Sequence, residues 1–287
     1  MEVKSLKESN DFIIKLINNN KPFSIVRLGI GDETHMTFQY MLKQNIEPYL
    51  KSDNLNGIYS KDMDIAKFEL FCKCYNNAIK ESDLLASFTW NSRNIIDIQN
   101  YFSNTYNLQQ IHSRSLEPFY AIMENIEPWS LHLKDKKVLV INPFVDSFKK
   151  QIDSKFVIFK NKPLFDESQE FIFYKSFNTL VGNNIHDDWY ETFNIMCNDI
   201  KKIDFDIALL GCGAYGLPIC EFIKNKLNKS AIYIGGGIQL LFGVMGKRWE
   251  ENSMWKQIIL ENECNFIKPT GDEIIPNNNN CENGCYW

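Results

Sequence analysis

Asp206-Ile-Ala-Leu-Leu-Gly211-Cys-Gly213-Ala-Tyr-Gly216-Leu-Pro218 is the stretch on which the fold class turns. The apolar run at residues 205–210 reads as a buried strand, and residues 215–227 return to helical spacing. Between them stand three glycines in Gly-x-Gly-x-x-Gly order, with Tyr215 inside the loop. In this frame each glycine has a task. Gly211 permits the tight turn, Gly213 lets a phosphate approach the backbone, and Gly216 lets the helix pack on the strand. The helix N-terminus then offers free N–H groups and partial positive charge to an anion. A structural turn that binds nothing satisfies the same spacing.

Downstream, residues 231–234 form the next strand, which runs into Gly235-Gly236-Gly237 and then Gln239. A dinucleotide site carries an acid about 20 residues after its glycine loop to hold the ribose. No Asp or Glu stands there, which argues against NAD and against S-adenosylmethionine. The second glycine cluster instead invites close backbone approach to another part of a ligand, or serves a loop that needs positive φ. Lys247 and Arg248 follow as adjacent cations that would neutralise a diphosphate. The alternative is an exposed basic pair beside Trp249.

Upstream, Lys137-Val-Leu-Val-Ile-Asn-Pro-Phe144 is a strand followed by a turn, with a helix at 145–152, a strand at 156–159 and a helix at 187–202. The first part of the chain reads as helix 5–20, strand 23–28, helix 34–43, helix 62–79, strand 84–89 and helices 94–102 and 115–125. Strands alternating with helices imply an α/β, Rossmann-like fold with a mainly parallel sheet flanked by helices. The expected organisation is an N-terminal α/β part (1–130), a nucleotide-binding part (131–265) and a flexible tail (266–287), or one continuous domain. Within the tail, Cys281 and Cys285 flank Glu-Asn-Gly, as incidental thiols or as a disulfide or metal clip.

The second motif is Arg27-Leu-Gly29-Ile-Gly31-Asp32-Glu33, again after a strand and opening a helix. Carboxylates at a strand's C-terminal end stand where ligands bind in open α/β sheets. Asp32 and Glu33 are therefore candidate ligands of a divalent cation bridging a diphosphate. One of them is alternatively a general base toward an acceptor hydroxyl. The plain alternative is helix capping, with Asp32 as N-cap. Arg27 reads as a buried ion-pair partner or an anion clamp. His35, His112, His132 and His186 make no metal-binding spacing. The motifs of serine hydrolases and of P-loop nucleotidases are missing.

The 287 residues are 44% hydrophobic, 23% charged and 14% aromatic, an ordinary globular composition rich in rings. A net charge of −5 gives no general reason to bind nucleic acid or an anionic membrane. The charged, polar stretch from Met1 to Lys7 has no apolar core, so no secretory leader is expected, and no run of about 18 apolar residues is present to span a membrane. With eight cysteines in mostly apolar contexts, the expected setting is the reducing cytoplasm. A homo-oligomer is compatible with all of this.

Val26-Arg27-Leu28-Gly29, with carboxylates close behind, resembles the opening Arg-x-Gly-Asp-Gly-Glu of the GT-D fold glycosyltransferases. The strings from Asp206 to Pro218, Gly235 to Gly243 and Gly246 to Trp249 are similar to the closing half of related bacterial proteins. The resemblance covers residues 23 to 250. It implies a Rossmann-like transferase that moves a sugar from a nucleotide donor, a UDP- or GDP-sugar, to a hydroxyl acceptor on a glycan, protein or small molecule. It also implies Mn²⁺ or Mg²⁺ as cofactor, with Asp32 and Glu33 as the metal or catalytic residues. The nucleotide-sugar side would comprise Arg27, Gly29, Gly211, Gly213, Tyr215, Gly216, Gly235–Gly237, Gln239, Lys247 and Arg248. The family's Asp position is Ile30 here and its Glu position is Asp32. Either Asp32 and Glu33 act in a shifted arrangement, or metal dependence has changed, or activity is lost. The rival readings are another Rossmann-type enzyme using NAD or S-adenosylmethionine, and a non-catalytic module that binds a nucleotide or glycan.

Overall fold

The computed structural model describes residues 3–50, 57–59 and 64–287. Short apolar runs become strands because both of their faces are covered, as a parallel sheet requires. Among the described residues these strands are β1 (Ser24–Arg27), β2 (Leu84–Ser87), β3 (Gln109–His112), β4 (Val138–Asn142), β5 (Phe171–Lys175), β6 (Ile207–Leu210) and β7 (Ser230–Tyr233). They form one parallel sheet in the order β3-β2-β1-β7-β6-β4-β5. Strands from before and after residue 130 share it through the β1–β7 pairing of Ser24 with Ala231 and Ile25 with Ile232.

Alternate strand residues feed two apolar layers, as a period of two dictates. On one face Ile25, Val140, Leu209 and Ile232 meet Ile13 and Ile17 of helix Leu6–Asn18, Phe148 of helix Val145–Asp153 and Trp255 of helix Ser253–Asn262. On the other, Val26, Leu85, Ile141 and Leu210 meet helices Ile65–Lys80, Ile95–Tyr106, Trp189–Ile200 and Gly216–Leu227. The topology therefore switches between two neighbouring strands. β4 leads through Val145–Asp153 on one face outward to β5, whereas β6 leads through Gly216–Leu227 on the other face to β7. Ligand crevices of open α/β sheets form at such a point, at the carboxyl ends of the strands. No helix among the described residues is long and apolar enough to cross a membrane.

Several elements depart from the sequence reading. The helix expected at 115–125 splits into a 3₁₀ turn, Ser113–Leu116, and a short helix, Phe119–Met123. Pro118 lies between them, and its missing N–H cannot continue a helix. The strand expected at 156–159 does not form; Phe156 instead packs edge-on against Phe266 with centroids 4.9 Å apart. β3, β5 and the helix Ser253–Asn262 were not anticipated. Three of the four residues of β3 are polar, and β5 is an edge strand whose residues are all only half-buried. The start of the expected 62–79 helix lies outside the described residues, and the helix is present from Ile65.

The closing segment, expected as a mobile tail, is seated on the body. Trp287 is 8% exposed, and its indole donates to the Glu273 carbonyl at 2.8 Å. The Glu273 carboxylate is buried and accepts from the backbone N–H groups of Asp146 and Ser147 at 3.0 Å each. It thereby caps the helix that follows β4, where negative charge meets the positive end of the helix dipole. The backbone at Gly246 touches the tail so closely that a Cβ would stand 2.4 Å from the Tyr286 carbonyl carbon. Gly246→Ala is accordingly expected to lift the terminal residues and to cost about 1–2 kcal/mol. Urea denaturation, with limited proteolysis reporting the exposed C-terminus, checks it.

Candidate functional site

β1, β2, β4, β5, β6 and β7 all end at one cleft of about 540 Å³. Its floor is the glycine loop. Asn142, the last residue of β4, donates from Nδ2 to the Gly211 carbonyl (2.7 Å) and accepts from the Phe144 N–H at its Oδ1 (2.8 Å). One amide thus ties the ends of β4 and β6 at the switch point. A Cβ on Gly211 would stand 2.4 Å from Ile238 Cγ2 and 2.7 Å from the Gly235 carbonyl oxygen. Gly213 has φ +58° and nothing within 4 Å of the place a Cβ would take, so its backbone stays open to the cleft. Gly216 faces the Tyr233 ring, 2.1 Å from where its Cβ would be. The three glycines thus divide into close packing, open backbone and helix-on-strand contact.

Tyr233 fixes the loop from behind, its hydroxyl donating to the Gly213 carbonyl at 3.1 Å. Tyr215 stacks on Trp189 (5.4 Å between centroids, 4° between planes) and shares a hydrogen bond with Thr179 at 3.0 Å. Burial pushes both phenols upward, so they remain neutral. Gly211→Ala is expected to cost about 2 kcal/mol, because backbone and a branched side chain crowd the site and cannot yield cheaply. A chemical denaturation curve against wild type measures it.

The second wall comes from β1. Arg27 lies over the Phe88 ring (5.4 Å), and its Nη1 is 3.9 Å from Glu117 Oε1. Only 19% and 13% of the two side chains stay exposed. Burial raises the Glu117 carboxyl above its ordinary value, opposed first by the charge of Arg27. The pair rests on the second glycine cluster. A Cβ on Gly235 would be 2.2 Å from Arg27 Nη2, and one on Gly237 2.0 Å from Glu117 Oε1. Those two glycines make room for an ion pair from the protein side, while Gly236 lines the cleft. Arg27 Nε and Gln239 Oε1 are buried without a hydrogen-bond partner among the described residues.

The carboxylates of the second motif separate. The helix Asp32–Met41 has Gly31, not Asp32, as its N-cap. Glu33 lies over Gly29 and lines the cleft. Asp32 is outside the cleft wall, in an ion pair with Arg93 (2.7 Å), whose guanidinium also donates to the Ile30 carbonyl at 3.3 Å. Among the described residues no group of three or more His, Cys, Asp or Glu side chains is gathered as a metal site. Asp32 and Glu33 thus face different surroundings, and a joint Mn²⁺ or Mg²⁺ site on the two would require Asp32 to leave Arg93.

The third wall is Arg248 with the closing segment. Its guanidinium stacks on Tyr286 (4.2 Å) and Trp249 (5.4 Å), donates to Glu282 at 2.7 Å, and reaches Cys285 Sγ at 2.8 Å. Gln239 holds the same segment through the Tyr286 carbonyl at 3.0 Å.

Of the residues singled out in the sequence, Arg27, Gly29, Glu33, Gly211, Gly213, Tyr215, Gly236, Gln239 and Arg248 meet at this cleft. Asp32, Gly216, Gly235 and Gly237 stand behind its wall. Lys247 turns outward and donates to the Asn283 carbonyl at 3.3 Å. Sequence reasoning missed Glu117, the rim tryptophan Trp90, Asn142, Thr179 and the Cys281–Tyr286 segment. Asn142-Pro143 at the end of a clear strand was a usable signal; Glu117, in an irregular stretch, gave none.

An open parallel sheet with a glycine-lined crevice at its switch point defines a Rossmann-like α/β protein. A family model described as a GT-D fold-like domain matches residues 6–241, and the chain belongs to that family. It is thus a protein of glycosyltransferase fold. No curated protein matches the chain.

Proposed function

We propose that the chain is a glycosyltransferase that takes a UDP- or GDP-sugar and passes the sugar to a hydroxyl acceptor. The observation that carries this reading is the meeting of Gly213's open backbone with Arg27 and Arg248 across one cleft at the carboxyl ends of the strands. The diphosphate sits on the open backbone of the glycine loop, at the positive end of the dipole of helix Gly216–Leu227. Arg27 and Arg248 balance its charge, which grows as the bond from sugar C1 to the diphosphate oxygen breaks. Glu33, the carboxylate in the wall, takes the acceptor hydroxyl proton as the new C1–O bond forms. Phe88, Trp90, Phe177 and Tyr286 supply ring faces for base and sugar.

The guanidinium groups do the work the family assigns to a metal, so turnover is expected without Mn²⁺ or Mg²⁺. Release of nucleoside diphosphate from a panel of UDP- and GDP-sugars, with mixed hydroxyl acceptors and with or without each metal, tests this. Release from one donor class in metal-free buffer supports the reading. Release from none, under any metal condition, overturns the catalytic half. One observation favours a second reading, a module that binds a nucleotide without turning it over: Ile30 stands at the family's Asp position and Arg93 occupies Asp32. Binding of a nucleoside diphosphate without its release from any donor distinguishes that module.

A further inference from the structure

The closing segment carries chemistry that sugar transfer does not use. Between Cys281 and Cys285 three successive residues have positive φ: Glu282 at 46°, Asn283 at 57° and Gly284 at 74°. For a residue with a Cβ this region costs about 1–2 kcal/mol, and strain of this kind persists only where the surroundings hold it. Here the Gly284 and Cys285 N–H groups both donate to the Cys281 carbonyl, at 2.8 and 3.4 Å, and the Trp287 N–H donates to Gly284 at 3.0 Å. The left-handed turn, closed by the Cys285 N–H on the Cys281 carbonyl, places the two cysteines at the two ends of one tight loop beside the Arg248–Glu282 ion pair.

The surroundings of the two sulfurs differ. Cys281 is half-buried and lines the cleft. Cys285 is buried, 3.3 Å from the Glu282 carboxylate and 2.8 Å from the Arg248 guanidinium. The Cys285 thiol, and after it the Arg248 charge, hold Cys281 below the ordinary thiol range. Burial instead raises Cys72 and Cys197 to about 12, and also raises Cys74, Cys212, Cys220 and Cys264. Thiolate character and access select the reactive cysteine, and a neighbouring thiol resolves the adduct.

We propose that Cys281 and Cys285 are a redox-active dithiol at the mouth of the cleft, exchanging with small disulfides of the glutathione class. The Cys281 thiolate attacks one sulfur of glutathione disulfide, forms a mixed disulfide and expels one glutathione thiolate. Cys285, giving up its proton, attacks the Cys281 sulfur and expels the second. The protein ends with an internal disulfide, two electrons have passed to glutathione disulfide, and the two thiol protons leave on the two glutathiones. This chemistry is independent of the sugar-transfer reading.

The folded wild type, Cys285→Ser and Cys281→Ser are each incubated with glutathione disulfide, quenched in acid, alkylated under denaturing conditions and mapped by peptide mass. The wild type is expected to lose two hydrogens across Cys281 and Cys285. Cys285→Ser is expected to trap glutathione on Cys281, and Cys281→Ser to react at Cys285 about tenfold more slowly or less. A wild-type pair that stays reduced, together with a Cys285→Ser variant that captures no glutathione, overturns the proposal. So does modification of Cys74 as fast as Cys281.

Discussion

Arg27→Ala is expected to cost about 3 kcal/mol of folding stability at neutral pH, because it strands the Glu117 carboxylate in a mostly buried position. The loss should depend on pH in a stated direction. Burial raises the folded-state pKa of Glu117 above its ordinary 4.5, so the folded chain holds the proton more tightly than the unfolded one. Stability from such a group is lost as pH rises from 4.5 through the raised value and is regained on acidification. Removing Arg27 takes away the largest influence opposing the shift and widens that window. The gap between variant and wild type should therefore be smaller at pH 5 than at pH 8, as read by urea denaturation at the two values. A gap that is constant with pH would mean that Glu117 is not the stranded group. In the proposed function the same substitution removes a charged contact with the diphosphate and should weaken nucleotide binding by about 10- to 100-fold.

Glu33→Gln carries the second large effect. If Glu33 takes the acceptor proton, its amide should lower kcat by about 10²- to 10⁴-fold and leave nucleotide affinity intact. The near-isosteric amide keeps the side chain lying over Gly29, so a folding defect is not expected. Asp32→Asn is the matched contrast. It removes an ion pair whose side chains are 49% and 32% exposed, so it should change stability by less than about 1 kcal/mol and leave kcat near wild type. The reverse outcome, with Asp32 essential and Glu33 dispensable, would assign the chemistry to the wrong carboxylate and reopen the metal-centred mechanism.

The fold was legible wherever local pattern and tertiary demand agreed. Residues 206–218 gave strand, loop and helix because a central parallel strand is apolar on both faces and the glycine spacing has a mechanical reason. Edge strands lack that pressure. β3 contains Gln109, Gln110 and His112, so nothing in its composition announced a strand. At Phe156 the local pattern is ambiguous, because aromatic residues suit strands as well as core plugs, and only its partner Phe266 decides between them. The seating of the tail was hidden for a similar reason. The polar run at 277–280 looks mobile, yet Trp287 finds a pocket and Gly246 an adjoining backbone.

At the site, the glycine loop and Arg27 could be named from sequence because their spacing to a strand end fixes where they fall, whereas Arg248 could be told from Lys247 only by the closing segment that holds it. The division between Asp32 and Glu33 could not. Adjacent residues at the start of a helix point about 100° apart, and which one faces the cleft depends on how the helix docks. Nor could sequence reveal that Gly235 and Gly237 accommodate Arg27 and Glu117 rather than a ligand, since Glu117 arrives from a distant, irregular segment.

The most direct test is equilibrium binding of UDP, GDP, NAD and S-adenosylmethionine to the wild type in metal-free buffer, followed by thermal stabilisation. It needs no knowledge of the acceptor. UDP or GDP at about 100 times its dissociation constant should add about 2.7 kcal/mol of stability, and Arg27→Ala should reduce that gain, whereas NAD and S-adenosylmethionine should add none. Stabilisation by NAD or S-adenosylmethionine alone, or by none of the four, would contradict the account.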